Sequence, residues 1–311
     1  MTASLKETGL GFRSLTITVA FALWGATGAM AQDNADPSAV IRVGSLYEPQ
    51  NLDNTAGAGQ GINEAFNGNV YEGLFQLTDD GDVVAKLASG FEMSEDGLTY
   101  TFTLQPDVAF HSGDPLTAAD VKSSIERVTA EGSQSSRKRT LANIESIEAK
   151  DDNTVVVTLK ERSISLPYNL SYVWIVNDAA KDLTSGEDGT GPYKLDNWRR
   201  GSSITLSPYE NYWGEKPKNG GVTFSYFKEA TALNNALLTG AVDIITSVQS
   251  PDSLMQFQDN PSFVVTDGQS TTKEVLAYND RVAPFDNVKV RKAVARAIDR
   301  KRLLNSIWGE Y

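Results

Sequence analysis

The stretch from residue 189 to residue 217 limits the folds open to this chain more than any other part of the sequence. Gly189, Gly191, Pro192 and Gly201 punctuate it, and two short strand-like runs lie between them. Because glycine and proline at such spacing mark turns, the stretch predicts a hairpin. Four aromatic residues are spaced to pack against its base: Trp198, Tyr209, Tyr212 and Trp213. The stretch contains no catalytic constellation of side chains.

The first 31 residues have the pattern of a secretory signal peptide. Lys6 and Arg13 precede an apolar stretch at 15–26, and Ala29-Met30-Ala31 offers small residues for cleavage before Gln32. The apolar stretch is too short and too interrupted to span a membrane. We therefore expect a periplasmic protein cleaved between Ala31 and Gln32. The alternative interpretation is an uncleaved anchor.

Composition narrows the classes of partner. A chain of 311 residues is long enough for two lobes with sizeable cores. Its formal net charge of −12 argues against nucleic acid, because phosphate binding needs clustered lysine and arginine. Cysteine is absent, which removes disulfides and the usual bacterial lipid-attachment residue behind a leader. We expect a monomer, free in the periplasm.

Hairpin and helix patterns alternate through the middle of the chain. Asp80-Gly81 and Asp96-Gly97 are residue pairs that tolerate positive φ in tight turns. Apolar residues alternate with threonine along 99–104, as in a strand with one buried face. A helix is predicted to begin at Thr117, whose side chain can cap the amide near Asp120.

A strand–helix–strand pattern indicates the fold class. Residues 222–227 and 242–246 read as strands, and 229–239 as the helix between them, which implies parallel pairing. A further strand is predicted at 39–45. Helices are predicted where apolar residues recur every fourth position, as they do from Ile62 to Leu74 and again after Asp286. The sequence therefore predicts an α/β protein with added hairpins.

Five blocks of the chain resemble, in order, the motifs of family 5 of the bacterial solute-binding proteins. This family contains the dipeptide, oligopeptide and nickel receptors that serve ATP-driven importers. The matching blocks are 69–74 (NVYEGL) with 79–81, 87–102, 110–121 (FHSGDPLTAADV), 189–217 and 284–300. They extend along essentially the whole chain behind the predicted leader.

The resemblance implies a periplasmic binding protein-like fold of type II, in which two α/β lobes joined by crossing strands enclose a ligand. Residues 32–270 are then lobe I, with a hairpin subdomain at about 80–165. Residues 271–311 are then a crossover strand and the first helices of lobe II. Because family members continue well beyond the last block, the resemblance also implies a C-terminally truncated chain, with most of the second lobe missing.

Side chains with catalytic or metal-binding chemistry give little support to an enzyme. His111 is the single histidine, so without cysteine no His/Cys metal cluster or Cys-His pair can form. Adjacent carboxylates, such as Asp79-Asp80 and Asp151-Asp152, lie beside glycine or asparagine and read as solvated turns. We therefore expect no catalytic residue, no metal and no cofactor.

The resemblance places one wall of a binding cleft in the loop after Leu52-Asp53. In peptide-binding relatives this loop brings backbone groups to an extended ligand, much as a strand adds to a sheet edge. Ala58, Gly59 and Gln60 occupy those positions here. The alternative is that the glycines near them merely shape a turn.

A second wall is predicted where the parallel unit ends. Thr246, Ser247 and Gln249 follow its last strand, and ligands of open α/β sheets bind outside the carboxyl ends of the strands. Trp174 is a candidate for a flat apolar contact, with core packing as the alternative. Asn279 is a hinge or cleft candidate near the expected crossing strand.

These patterns and the resemblance together predict a solute-binding protein of a peptide importer. It would capture a peptide or similar small solute and present it to the membrane permease and ATPase subunits of an ABC transporter. Two alternatives stay open from the residues alone. One is an exported glycan or peptide hydrolase, and the other is a product that folds without binding a ligand tightly.

Overall fold

The computed structural model describes residues 36–53, 55–56, 59–179, 188–248, 251–266 and 275–308. Their strands are β1 (Val40–Ser45), β2 (Phe75–Leu77), β3 (Val83–Ala85), β4 (Ala88–Met93), β5 (Thr99–Leu104), β6 (Ile144–Asp151), β7 (Thr154–Leu159), β8 (Tyr193–Arg199), β9 (Ser203–Pro208), β10 (Gly221–Tyr226) and β11 (Ile244–Ile245). Their helices are α1 (Gln60–Phe66), α2 (Ala118–Thr129), α3 (Lys138–Leu141), α4 (Leu166–Leu170), α5 (Ala230–Leu238), α6 (Pro251–Gln258), α7 (Val288–Ala297) and α8 (Arg300–Trp308). None of these helices has the length and apolarity needed to cross a membrane.

A five-stranded mixed sheet carries the parallel unit. Its strand order is β11-β1-β10-β9-β8, and β1 pairs in parallel with both β10 and β11. The predicted strand–helix–strand unit is confirmed as β10, α5 and β11, but its two strands are not neighbours, because β1 lies between them. Gly44 lets α5 approach this sheet, since a Cβ there would crowd the side chain of Leu233.

A four-stranded antiparallel sheet, of order β4-β5-β7-β6, forms the second layer of strands. Both predicted tight turns are confirmed, because Gly81 and Gly97 adopt φ values of +84° and +72°. The alternation predicted for 99–104 is also confirmed, with Tyr100, Phe102 and Leu104 buried and the threonines turned outward. Sheet and loops enclose a core that α2 covers.

A buried carboxylate begins helix α2. Asp120 Oδ2 accepts hydrogen bonds from the backbone N and the Oγ1 of Thr117, at 2.8 Å and 2.7 Å. The other oxygen of Asp120 accepts from the backbone N of Asp178 at 2.8 Å. The predicted helix start at Thr117 is therefore confirmed, and the same side chain also fixes a distant segment.

The helix predicted from Ile62 to Leu74 is wrong in its second half. Helix α1 ends at Phe66, and Gly68 then adopts φ +73°, which turns the chain back. Val70 and Leu74 are nevertheless buried. The four-residue spacing therefore reflects burial of the chain in two successive conformations and not one continuous helical face.

The segment 173–176 contributes side chains to two hydrophobic cores. Val173 and Ile175 belong to the core of the four-stranded sheet. Trp174 and Val176 belong to the core beneath the five-stranded sheet and α1. Alternate side chains of one segment therefore join both cores.

Residues 189–217 contain the predicted hairpin, formed by β8 and β9, with buried aromatic residues at its base. Gly189 and Gly191 pack so closely that a Cβ would overlap the carbonyl oxygens of Val70 and Asn69, respectively. Tyr209 and Tyr212 are buried, as predicted. The two glycines therefore serve close backbone packing.

The described C-terminal part contains α7 and α8. The side chain of Asn287 accepts a hydrogen bond from the backbone N of Lys289 and so caps α7. No side chain of α7 is fully buried, and Leu303, Leu304 and Ile307 of α8 are each about half exposed. Because residues 267–274 lie outside the described ranges, the crossover strand predicted for 271–311 stays a prediction.

Candidate functional site

Three parallel strands end at one edge of the five-stranded sheet. The last residues of β1, β10 and β11 are Ser45, Tyr226 and Ile245. Residues that follow these strands therefore meet at that edge, where open α/β sheets bind ligands. Helix α1 begins beside it, and we call this region the carboxyl edge.

Glu64 of α1 links the elements of the carboxyl edge. Its Oε2 accepts a hydrogen bond from Ser45 Oγ at 2.6 Å and a longer one from Thr246 Oγ1 at 3.4 Å. Its Oε1 accepts from Gln60 Nε2 at 2.8 Å. The Ser45 oxygen in turn accepts from the backbone N of Tyr47 at 3.0 Å, so the serine hydrogen is left to point at Glu64. One half-buried carboxylate thus joins β1, α1 and the end of β11.

A cavity of about 560 Å³ lies beside the end of β11, and we call it the β11 cavity. Residues 243–248 form one side, including Thr246 and Ser247. Phe257 and Phe263 form part of the other side, with their rings edge to face at 5.3 Å. The cavity therefore combines hydroxyl groups with an apolar, aromatic surface, as small-molecule sites do.

A second cavity of about 280 Å³ lies at the start of α1, and we call it the α1 cavity. Residues 46–51 and 59–62 line it, including Glu48 and Gln60. Gly61 allows this approach, because a Cβ there would overlap the carbonyl oxygen of Tyr47. Since Glu64 contacts Gln60 of this cavity and Thr246 of the β11 cavity, it bridges the linings of both.

The tip of the β8–β9 hairpin holds the wall of the α1 cavity. Glu48 Oε1 accepts hydrogen bonds from Trp198 Nε1 at 3.1 Å and from the backbone N of Gly201 at 2.7 Å. Arg200 lies over the Trp198 ring at 4.0 Å and donates to the carbonyl of Gln50 at 3.1 Å. The turn at Arg200 and Gly201 therefore clamps residues 48–50.

Helix α2 fixes the loop that enters the α1 cavity from the other direction. Arg127 forms an ion pair of 2.8 Å with Asp53, whose Oδ1 also accepts from the backbone N and Oγ1 of Thr55. Leu52 is buried beside it. The Leu52-Asp53 pair thus anchors the loop that the sequence assigned to a ligand wall.

The charges of Glu48 and Glu64 both act on Tyr226 at the end of β10. Burial raises the pKa of the Tyr226 hydroxyl, and the charges of Glu48 and Glu64 raise it further. At the rim, hydrogen bonds and charge from Arg42 lower the pKa of Asp243, and their ion pair holds β11 against β1. The position of Thr246 is thereby tied to β1.

The structure brings together four of the predicted site residues and separates two others. Gly59, Gln60, Thr246 and Ser247 line the two cavities. Ala58 and Gln249 lie outside the described residues. Two further candidates, Trp174 and Asn279, line neither cavity.

The side chain of Trp174 packs in the hydrophobic core. It is 4% exposed, stacks on Tyr71 at 4.7 Å and donates from Nε1 to Asn67 Oδ1 at 2.9 Å. The packing alternative given for it in the sequence analysis describes this position. Asn279 is exposed and accepts a hydrogen bond from the backbone N of Arg281.

Sequence reasoning missed Glu64, Glu48 and Tyr226. A signal for Glu64 was present, because it lies four residues after Gln60 and so shares a helical face with that predicted ligand contact. Glu48 and Tyr226 gave no such signal, since their meeting depends on the pairing of β1 with β10.

His111 lies in a separate region of the fold. Its Nε2 is 2.9 Å from the carbonyl oxygen of Gly191, its ring meets Tyr209 edge to face, and burial lowers its pKa. Among the described residues, no group of three or more histidine, aspartate or glutamate side chains is arranged to hold a metal ion.

Comparison with known families and proteins identifies relatives of this chain. Residues 82–311 match the model of the bacterial extracellular solute-binding proteins, family 5. The glutathione-binding protein GsiB of Pectobacterium atrosepticum is 29% identical over 297 residues, which are 92% of this chain and 57% of that protein. The chain thus spans little more than half the length of this relative.

Solved structures of the same type share the fold. NikZ of Campylobacter jejuni, in complex with Ni(L-His), superimposes with a TM-score of 0.76 at 22% identity, over 86% of this chain and 54% of that one. The periplasmic binding protein DppA of Helicobacter pylori, in complex with the peptide STSA, gives 0.76 at 24% identity, over 87% and 58%.

Proposed function

Because this chain belongs to the bacterial extracellular solute-binding proteins of family 5, we propose that it captures a peptide or similar small solute and delivers it to an ABC importer. Its fold is the α/β fold of the type II periplasmic binding proteins. Binding takes place at the carboxyl edge, with no chemical change in the ligand. The permease and ATPase subunits of the importer are the protein partners.

One observation carries this proposal. Two cavities open at the carboxyl edge, and their linings are joined through the hydrogen bonds of Glu64. Such an arrangement combines apolar surface with a few convergent polar groups, as binding sites for small molecules do. Gly59, Gln60, Thr246 and Ser247 are the proposed contacts, and Ala58 and Gln249 extend them outside the described residues.

The proposal includes export and a two-lobe organisation. Residues 1–31 act as a leader cleaved before Gln32, which releases the chain into the periplasm. Residues 32–270 act as the first lobe, and 271–311 belong to the second, with Asn279 near the hinge. Closure of two lobes around a solute is the expected working motion.

Ligand-induced stabilisation tests the proposed function. Synthetic dipeptide and tripeptide pools and glutathione are added to the purified chain, and its thermal unfolding temperature is measured with and without each ligand. A ligand present at a hundred times its Kd stabilises the folded state by about 2.7 kcal/mol. Mass spectrometry of the same mixtures must recover every ligand unchanged.

A matched pair of variants locates the effect. Thr246→Val removes a hydroxyl at the carboxyl edge and should reduce the stabilisation, whereas Thr103→Val on the exposed face of β5 should preserve it. Cleavage of any pool member, or the absence of stabilisation by every pool, contradicts the proposed function.

A further inference from the structure

A basic surface lies where helix α3 packs against α4. Residues 130–143, which join α2 to β6, and residues 160–172, which follow β7, form it, and we call it the α3–α4 surface. Glu131 and Glu161 are the acidic residues of these two segments, although the whole chain has a formal net charge of −12. The basic residues of the two segments are Arg137, Lys138, Arg139, Lys160 and Arg162.

Hydrogen bonds join the two segments of the α3–α4 surface. Lys160 Nζ donates to the carbonyl of Ala142, the residue that follows α3, at 2.8 Å. Asn143 donates from Nδ2 to the carbonyl of Glu161 at 2.6 Å, and its Oδ1 accepts from the backbone N of Glu161 at 3.0 Å. Lys160 is thereby held beside the end of α3.

Aromatic rings hold Arg137 in place. Its guanidinium carbon is 3.6 Å from the centre of the Tyr172 ring and 5.9 Å from the centre of the Tyr168 ring. The two rings meet edge to face at 5.5 Å. A guanidinium group stacked on a ring keeps the donors in its plane for a phosphate or a carboxylate.

The charges of these five cations are not neutralised by ion pairs with described acids. The ion pairs of the described residues use other cations, namely Arg42, Lys86, Lys122, Arg127 and Lys218. The positive charge of the α3–α4 surface is therefore available to a partner that carries negative charge.

An exposed isoleucine lies between the cations and the tyrosines of this surface. Ile164 is 79% exposed, the largest value for any large apolar residue among the described residues up to 248. Its neighbour Ser163 is fixed to the sheet, because the Ser163 carbonyl accepts from Tyr100 Oη at 2.9 Å. Tyr168 is 37% exposed. Burial of the Ile164 side chain against a partner would be favourable.

We propose that the α3–α4 surface docks on a membrane surface that contains anionic phospholipid. The cations contact the phosphate groups of the lipids, and Ile164 and Tyr168 enter the region between headgroups and acyl chains, where apolar and tyrosine side chains bind. This inference goes beyond the proposed function, because it holds whether or not the chain binds a peptide.

Two observations favour a lipid surface over an acidic protein segment. A segment that is merely acidic pairs with the cations but leaves Ile164 in water, whereas a bilayer accepts both kinds of side chain. The chain is also strongly acidic as a whole. Anionic lipid repels its acidic faces and attracts the α3–α4 surface within a Debye length of about 8–10 Å, so the chain approaches by this surface.

Sedimentation with lipid vesicles tests the inference on the full chain. One set of vesicles contains phosphatidylcholine alone, and in the other a third of the lipid is phosphatidylglycerol. We expect at least about tenfold stronger binding to the anionic vesicles at low salt. This preference should disappear at about 0.5 M salt, because the charges are then screened.

Variants assign that binding to the α3–α4 surface. Lys138→Gln combined with Arg139→Gln removes two cations and should weaken binding to the anionic vesicles at least about tenfold. Lys216→Gln combined with Lys228→Gln makes the same change in net charge at exposed residues elsewhere and should leave binding unchanged. Ile164→Ser should weaken binding and keep its salt dependence. The leader is identical in every variant, so its contribution cancels.

The outcomes separate the inference from its alternatives. Equal binding by the wild-type chain and the Lys138/Arg139 variant overturns it, and so does an equal loss in the Lys216/Lys228 variant. Binding of soluble polyglutamate in place of vesicles assigns the surface to an acidic protein and also overturns it. The unfolding temperature of each variant shows that folded proteins are compared. Peptide binding is measured separately, so none of these results decides the proposed function.

Discussion

Two regions of this molecule are built around a glutamate, and they differ in what neutralises it. Glu72 is 2% exposed and forms an ion pair of 3.0 Å with Lys86. It also accepts hydrogen bonds from Tyr212, Trp213 and Thr190, at 2.7 Å, 3.0 Å and 2.9 Å. Glu64 is half-buried beside two cavities and has neutral donors alone.

The difference separates an acid that is paired within the fold from an acid that is held by neutral donors alone. The partners of Glu72 come from three places in the chain, Lys86, Thr190 and the pair Tyr212-Trp213, which meet at the base of the 189–217 hairpin, so its charge is used to hold the fold together. The carboxylate of Glu64 is oriented by neutral donors, and no described lysine or arginine forms an ion pair with it. Full internal pairing of a buried charge therefore indicates a structural role for Glu72, whereas Glu64 has no ion-pair partner among the described residues.

Removal of Glu72 should have the largest effect. Glu72→Ala leaves the Lys86 cation and three hydrogen-bond donors without their acceptor, and breaking a buried pair in this way costs about 3–5 kcal/mol. Urea unfolding measures the loss. Glu64→Gln should cost about 1 kcal/mol or less, because its partners reach solvent or the new amide. Similar losses in the two variants would remove the distinction between the regions.

The glycines of α1 should show the next largest effect. Gly61→Ala forces a Cβ against the backbone of Tyr47, and overpacking of this kind costs about 1–3 kcal/mol. It should also close part of the α1 cavity and weaken ligand binding. Gly59→Ala is the control for stability, because nothing lies within 4 Å of its Cβ position and its φ of −148° suits any residue. Urea unfolding compares the stability of the two variants, and titration of Gly61→Ala and the wild-type chain with peptide compares their binding.

Two tryptophans allow the two regions to be compared with one chemical change. Trp198→Phe removes an N–H donor from Glu48, and Trp213→Phe removes one from Glu72. Each should cost about 1 kcal/mol of stability. Trp198→Phe alone should speed amide hydrogen exchange at residues 46–51 and weaken binding. If Trp213→Phe loosens the same loop, the regions are coupled and the comparison must be revised.

The pH dependence of stability near neutral pH should be the smallest effect and is expected from His111, which packs beside the hairpin. Burial lowers the pKa of His111 below its usual 6.5, so the folded state keeps it neutral while the unfolded state takes up a proton. Stability should therefore be complete above about pH 7 and fall as pH drops through 6.5 toward the lowered pKa. Urea unfolding at pH 7.5 and 5.5 measures this.

His111→Gln supplies the control for that measurement. Because His111 is the single histidine, the variant should lose most of the change in stability between the two pH values. Peptide binding at the carboxyl edge should keep the same pH dependence in both proteins. An unchanged stability slope in the variant would assign the effect to carboxylates instead.

Much of the local structure was predictable because the relevant physics acts over few residues. The turns at Gly81 and Gly97, the alternating burial of β5 and the start of α2 follow from backbone freedom, strand period and capping. The predicted helix from Ile62 to Leu74 was wrong beyond Phe66, because the apolar spacing continues past the turn that ends the helix. Spacing reports which residues are buried, but it did not reveal the turn at Gly68.

The carboxyl edge was predictable as a location and not as a set of contacts. The parallel unit pointed to Thr246 and Ser247, and the family resemblance pointed to Gly59 and Gln60; the structure places all four around the two cavities. Trp174 shows the limit, because an aromatic residue suitable for a ligand is equally suitable for a core. Its stacking on Tyr71 depends on residues more than a hundred positions away.

The sequence by itself determined the family, the α/β class, the main turns and the edge of the sheet that we propose as the ligand site. Tertiary structure alone decided that β1 lies between β10 and β11, and thereby brought Ser45, Glu64 and Tyr226 to the same edge. The physical reason is the distance along the chain over which each interaction acts. Turn, strand and helix preferences act between near neighbours in the chain, whereas the pairing of a charge depends on every segment that folding brings beside it.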